Sequence, residues 1–193
     1  PHPTMAEAVR ETHSLHLQTH PLSGRRMVNQ YVIEDEIGRG VHGRVRRARN
    51  VHTDERVALK IVEREARPRL GAPRPAAGER LTDEKVLREI AIMKKCRHPN
   101  IVQLREAIDD PHSRKIFIVL EYMDGGEVVW RTPTHGPALT VAEARRTLRD
   151  VVLGLEYLHH QGIVHRDIKP ANLLWDAQHT VKISDFGVSY LCA

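Results

Sequence analysis

The sequence predicts an α+β fold: an antiparallel sheet carrying one helix, followed by a region dominated by a second, longer helix. Three observations carry that expectation. Strand-type alternation runs through Tyr31, Ile33 and Ile37, with Glu34 and Glu36 between them. A second apolar run, Val57 to Val62, follows a glycine cluster, an arginine-rich stretch containing Val45, and a polar turn from Asn50 to Glu55. Helical spacing then appears at Val86, Ile90 and Met93, and again at Leu148, Val151, Val152, Leu155 and Leu158.

Residues 1–26 are poor in apolar side chains and read as a disordered tail. His13, His16 and His20 punctuate this tail, but no cysteine lies near, so a metal site is the weaker reading. Residues 27–123 form the sheet-bearing part. Within it, residues 64–80 hold Arg67-Pro68-Arg69, Gly71, Pro73-Arg74-Pro75 and Gly78, a density of breakers that neither helix nor strand survives, so this is an inserted loop. The first helix is expected from Thr82 to about Cys96 and ends before Pro99, which biases its predecessor away from helical backbone. Short strands are expected at Ile101–Leu104 and Lys115–Leu120, with a turn at Gly125-Gly126. In residues 124–193, Thr140-Val141-Ala142-Glu143 has the spacing of a capping box and opens a helix running to about Gln161.

Composition excludes several classes. The chain has 193 residues and a net charge of +5, yet its arginines are scattered or sit beside prolines, with few aromatic rings to stack bases, so no nucleic-acid partner is expected. No apolar stretch reaches the roughly 18 residues a membrane helix needs, and residues 1–10 lack the architecture of a secretion signal. Cys96 and Cys192 form no spacing pattern and read as reduced thiols in a cytoplasmic setting.

The chemistry lies in four motifs. Gly38-Arg39-Gly40-Val41-His42-Gly43 spells G-x-G-x-x-G, but a strand rather than a helix follows, which disfavours a dinucleotide fold. Glycines in a strand–turn–strand hairpin let backbone N–H groups approach phosphates with no Cβ in the way. Lys60 sits in the apolar run Val57-Ala58-Leu59-Lys60, where a buried ammonium needs anionic partners or must snorkel to solvent. Glu89 is the favoured carboxylate partner, with Glu84 as competitor. After the long helix comes His165-Arg166-Asp167-Ile168-Lys169-Pro170-Ala171-Asn172, and after a strand centred on Val181–Ile183 comes Asp185-Phe186-Gly187.

In this order and setting, the four motifs resemble the protein kinases, from Tyr31 to the end of the chain. The resemblance implies a complete small lobe at 27–123 and the start of a helical large lobe at 124–193 that stops after the Asp-Phe-Gly motif. It implies ATP and Mg2+ as cofactors. Ile37 to Gly43 (Ile37, Gly38, Arg39, Gly40, Val41, His42 and Gly43) would cover the phosphates, and Lys60 with Glu89 would hold them. Val45, Ala58 and Leu174 would sandwich adenine. Behind Leu120, in the gatekeeper position, Glu121 and Met123 would offer backbone groups to the base, and Glu127 would lie near the ribose. Asn172 and Asp185 would ligate the metal, and Asp167 would receive the proton of the acceptor hydroxyl. Lys169 is similar to the serine/threonine version of this loop. Met93, Leu104, His165 and Phe186 would stack as an internal apolar column.

His42 departs from the family, standing where an aromatic ring is common. The arginine–proline insert, with Glu-Ile-Ala-Ile-Met-Lys-Lys and Leu-Arg-Asp-Val-Val-Leu-Gly-Leu-Glu-Tyr-Leu-His around it, looks like the calcium/calmodulin-dependent protein kinase kinases. That likeness implies protein substrates that include other kinases, and calmodulin bound through a segment outside this chain. The alternative expectation is a catalytically incomplete module that binds nucleotide or partners, with the long helix leaving apolar surface uncovered.

Overall fold

The computed structural model describes residues 9–40, 43–64 and 83–192. The chain divides into two compact units, residues 1–86 with 104–121, and residues 87–103 with 122–193. The division differs from the expected boundary at 123/124, because segment 87–103 belongs with the second unit.

In the first unit, β1 (Arg10–Thr12), β2 (Leu17–Thr19), β3 (Arg26–Val28), β4 (Tyr31–Gly40), β5 (Gly43–Asn50), β6 (Arg56–Glu63), β7 (Leu104–Ile108) and β8 (Lys115–Glu121) form one sheet in the order β1-β7-β8-β6-β5-β4-β3-β2. Among the described strands of this sheet, only β1 and β7 pair in parallel. The expected alternation in β4 is interrupted by register shifts between Ile33 and Glu36 and between Glu36 and Gly38. Val28, Tyr31, Ala48, Val57, Leu59, Ile108, Phe117 and Val119 form the core, with Leu15, Ile33 and Ile61 packed against it.

Two strands, β1 and β2, and the first residue of β3 lie where a disordered tail is expected, so that reading fails for the described part of residues 1–26. The segment escapes a composition argument because little of it is apolar. It is held instead by ladder hydrogen bonds and by one buried carboxylate. Glu106, 2% exposed, accepts from Thr12 Oγ1, from Gln30 Nε2 at 2.8 Å and from Tyr31 Oη at 2.7 Å. Asn29 adds a second tie: its backbone N–H donates to His16 O at 2.9 Å, and its Oδ1 accepts from His16 N at 2.8 Å. The connection 13–16 thus carries the chain from β1 at one edge of the sheet to β2 at the other.

The helix α1 (Asp83–Lys95) and the helix α2 (Val141–His160) sit close to their expected bounds. The capping box forms in full. Thr140 Oγ1 accepts from Glu143 N at 3.2 Å, and the Glu143 carboxylate accepts from Thr140 N at 2.8 Å. The expected strand at Ile101–Leu104 starts at Leu104 instead. Ile101 makes only an isolated bridge to Ile183, and the true ladder runs from Leu104 to Ile108 against β8. Residues 65–80 of the expected insert lie outside the described residues.

The second unit is built on α2, with β9 (Gly126–Glu127), β11 (Leu173–Trp175) and β12 (Val181–Ile183) in the order β12-β11-β9, and β10 (Ile163–Val164) paired with β13 (Tyr190–Leu191). Segment 95–103 is pinned to these elements, which explains its unit. Tyr157 Oη donates to Lys95 O at 3.0 Å and accepts from Arg97 N at 2.7 Å, and its ring stacks on His98 at 5.0 Å. Asn100 Nδ2 donates to Val181 O at 2.9 Å. Gly154 of α2 permits this approach: a Cβ there would lie 3.0 Å from Asn100 O and 2.9 Å from Ile183 Cδ1. On α2, Leu148 is 65% exposed and Val152 53%, an apolar surface of the kind expected from the sequence.

Candidate functional site

The glycine motif forms the end of the β4–β5 hairpin, with Gly38 opposite Val45, Arg39 opposite Arg44, and Gly40 opposite Gly43. Val41 and His42 lie outside the described residues. The glycines are not equivalent. Gly43 has φ +124°, and a Cβ there would sit 2.2 Å from Ile61 O, so β6 itself demands glycine. A Cβ at Gly38 would meet the Val45 side chain at an ordinary 3.7 Å. The fold has room for a methyl at Gly38. Ile37 is 45% exposed, and Arg39 is exposed with its Nε 3.4 Å from Glu36.

Lys60 is 7% exposed and lies directly opposite Val45 on β5 and Ile118 on β8. Ala58, two residues earlier on β6, shares its face and pairs with Leu120. Val45, Ala58 and Lys60 therefore present an apolar surface with one ammonium at its end. Glu121 closes β8 opposite Val57.

In the second unit, Glu89 on α1 is 3% exposed and Met123 is 7% exposed. Glu127 on β9 pairs with Leu174 on β11, which brings those two expected residues together. Gly125 lies so close to this ladder that a Cβ would stand 2.5 Å from Trp175 Cβ.

The loop 165–172 is organised around Asp167. Its Oδ2 accepts from Lys169 Nζ at 2.8 Å and from Asn172 Nδ2 at 2.9 Å, and its carbonyl accepts from the same Asn172 Nδ2 at 2.8 Å. The Lys169 ammonium holds the Asp167 carboxyl below its ordinary range, and Asp167 in turn raises Lys169. Oδ1 accepts no hydrogen bond among the described residues and is the oxygen open to a donor. Asn172 is buried, and because its amide nitrogen is committed to Asp167, its Oδ1 is the end available to a hard cation.

His165 supports Asp167 from behind. Its Nδ1 receives the Asp167 backbone N–H at 3.2 Å, and its Nε2 lies 3.0 Å from Ser184 O. A backbone N–H only donates and a carbonyl only accepts, so the ring is neutral with its proton on Nε2. Burial lowers the His165 pKa, consistent with that neutral form. The ring also meets Phe186 edge-on at 5.0 Å. Two residues of this unit's expected column therefore touch, and His165 does polar work that its place in an apolar column does not convey.

Asp185 has φ 62°, the strained backbone common at functional positions, and its Oδ1 accepts from Gly187 N at 3.2 Å. Ser184 N and Oγ both donate to Asn172 O, at 2.9 and 3.1 Å, which ties Asn172 to the segment that carries Asp185. Ser189 Oγ donates to His165 O at 3.2 Å. Neither serine stands out in the sequence, since an isolated hydroxyl beside a motif carries no spacing signal. Arg166, at φ 67°, donates from Nε to Val188 O at 2.6 Å.

The pattern of the protein kinase domain matches residues 31–193. The chain is 55% identical over 184 residues to serine/threonine-protein kinase ssp1 of Schizosaccharomyces pombe, covering 95% of this chain and 28% of that protein. It is 50% identical over 189 residues to SNF1-activating kinase 1 of Saccharomyces cerevisiae, covering 94% of this chain and 16% of that protein. It is 42% identical over 188 residues to serine/threonine-protein kinase TOS3 of the same yeast, covering 94% of this chain and 33% of that protein. The chain spans no more than a third of the length of these relatives.

Proposed function

The chain belongs to the protein kinase family, and from that premise we propose that the protein phosphorylates serine or threonine hydroxyls of protein substrates, downstream kinases of the SNF1 type among them. The substrate class draws support from the name of SNF1-activating kinase 1, half identical to this chain, and from the Lys169 version of the loop. The observation that carries the reading is the Asp167 cluster: a carboxylate kept ionised by Lys169, steadied by Asn172, with one oxygen open to an incoming hydroxyl.

Bound ATP with Mg2+ supplies the electrophilic phosphorus and neutralises developing charge. The protein's own part is positioning. Asp167 Oδ1 orients the acceptor hydroxyl and takes its proton, while Lys169 and Asn172 hold Oδ2 and fix the carboxylate plane. Asn172 Oδ1 and the Asp185 carboxylate are the oxygen donors we assign to the metal, a donor set suited to a hard cation. In the first unit we assign Lys60 to the α- and β-phosphates and Gly38, Gly40 and Gly43 to backbone contact with phosphate; in the second we assign Glu89 the part of the family's helix carboxylate. In the first unit we assign the Val45–Ala58 surface and Glu121 to adenine; in the second we assign Leu174 and Met123 to adenine and Glu127 to the ribose. We place this activity in the cytoplasm, where ATP and two free thiols are at home. Among the described residues no helix is long and apolar enough to cross a membrane.

The test is transfer of labelled phosphate from ATP to a peptide bearing the activation-segment threonine of an SNF1-type kinase. Asp167→Asn is expected to cut turnover by about 10²–10⁴-fold with an unchanged melting temperature. Undiminished turnover in that variant rejects the assignment. A second reading, a nucleotide- or partner-binding module without transfer, draws on the exposed Leu148 and Val152 of α2. Nucleotide binding by the 193-residue chain with no transfer to any substrate would favour it.

A further inference from the structure

The first unit holds a cavity of about 1270 Å³, lined by residues of β2, β3, β4, β5, β6 and β8. It opens on the sheet face opposite Val45, Ala58 and Lys60, and among the described residues assigned to nucleotide only Arg39 and Gly43, at the hairpin end, line it. On β5, Val45 faces one side of the sheet while Arg44 and Arg46 face the other, and on β6 Lys60 alternates with Ile61 in the same way. Arg44, Arg46 and Ile61 line the cavity; Val45, Ala58 and Lys60 do not.

The floor is apolar, made by Val28, Ile33, Ile61 and Phe117. The rim is cationic: Arg25, Arg26, Arg44 and Lys115 are exposed and form no ion pair among the described residues. The carboxylates at the cavity do not offset this charge. Arg47 engages Glu34 at 2.6 Å and Asp35 at 2.6 Å, which leaves Glu63 as the one carboxylate outside an ion pair among the described residues. Deeper in, Arg46 donates from one terminal nitrogen to Glu34 O at 2.6 Å, while its buried Nε has no hydrogen-bond acceptor. Finally, β2 ends the sheet order among the described residues, none of which adds a strand to the outer edge of Leu17–Thr19, and these three exposed residues line the cavity.

We propose that this cavity docks an acidic, extended peptide segment of a partner protein, with bulky apolar side chains on the floor, carboxylates on the Arg26–Arg44–Lys115 rim, and backbone along β2. The volume exceeds the usual ~300–1,000 Å³ of a small-ligand pocket, which favours a chain segment over a lone anion. The apolar floor favours a peptide over a phosphodiester backbone, since it offers nothing to a phosphate. Strand addition with alternating side-chain pockets is an established mode of peptide recognition. The arginine–proline insert of this chain is itself cationic and does not complement the rim.

The test is fluorescence anisotropy of the full 193-residue chain with a labelled peptide of about ten residues that alternates glutamate with leucine and phenylalanine, ~33 Å when extended. Saturable binding is expected, weakened by salt, and at least about tenfold weaker when glutamine replaces every glutamate. Arg26→Glu with Lys115→Glu, and separately Arg44→Glu, are each expected to weaken binding by about tenfold or more at unchanged melting temperature. Lys60→Ala and saturating ATP are expected to leave it intact, which keeps this result distinct from the nucleotide assignment. No binding of the acidic peptide, equal binding of the glutamine peptide, charge-reversal variants that bind like the parent, displacement by ATP, or tighter binding of duplex DNA would each overturn the proposal.

Discussion

The loop from His165 to Asn172 and the segment from Arg10 to Val28 are both held by polar contacts, but over very different chain distances. In the loop, Asp167, Lys169 and Asn172 bond to one another within five residues. In the N-terminal segment, Thr12 reaches Glu106 across 94 positions and Leu15 N reaches Asp110 across 95. The first arrangement leaves a compact spelling that reads as chemistry. The second leaves none, and its low apolar content mimics disorder. Polar composition alone does not separate a free tail from a set of edge strands anchored on a buried carboxylate.

Mutation at the anchor of each region sharpens this contrast. The largest effect is expected at Glu106→Ala, which strands the buried Tyr31 hydroxyl and removes the acceptor for Thr12 and Gln30. Unfolding should become about 2–4 kcal/mol easier, with a fall in Tm of roughly 5–15 °C by calorimetry. A Tm within experimental error of the parent would show that β1–β3 contribute nothing. Thr140→Ala removes a purely local device, the capping box of α2, and should cost about 1 kcal/mol in denaturant titration. A larger loss than at Glu106 would reverse the comparison.

A gentler test is the pH dependence of stability. His165 and His98 are both lowered by burial, so the folded state holds them neutral while the unfolded chain protonates them below about 6.5. The unfolded state then binds more protons, and stability should decline as pH falls from about 7 toward 5 and be fully present above that window. His165→Gln should flatten the profile; a variant profile parallel to the parent's assigns the slope elsewhere. The smallest stability effect is expected at Gly38→Ala, within about 0.5 kcal/mol, because the structure has space for the methyl. Its readout is nucleotide affinity by calorimetric titration, expected to weaken several-fold. Unaltered affinity would detach Gly38 from phosphate contact.

Several features of the site were legible because they are local. The G-x-G-x-x-G hairpin, the lysine in an apolar strand, the capping box at Thr140 and the Asp167 loop each occupy a short window with a fixed period. The supporting residues were not legible. Ser184 and Ser189 are ordinary hydroxyls in sequence, and Glu106 stands in an unremarkable Leu104–Ile108 run. The strand expected at Ile101–Leu104 slid onto Leu104–Ile108 because the ladder with β8, rather than apolar spacing, sets its register.

The sequence by itself determined the order of motifs, the two helices with their bounds to within one or two residues, and the residue types we assign to phosphate, metal and proton, since each depends on neighbours within one turn or one hairpin. Tertiary structure alone decided that residues 10–28 hold three strands, that segment 87–103 joins the second unit, which end of the Asn172 amide is available, and which nitrogen of His165 carries the proton. These are outcomes of hydrogen bonds between distant segments. Such bonds are specified by where the folded backbone places donors and acceptors, and no local period in the chain announces them.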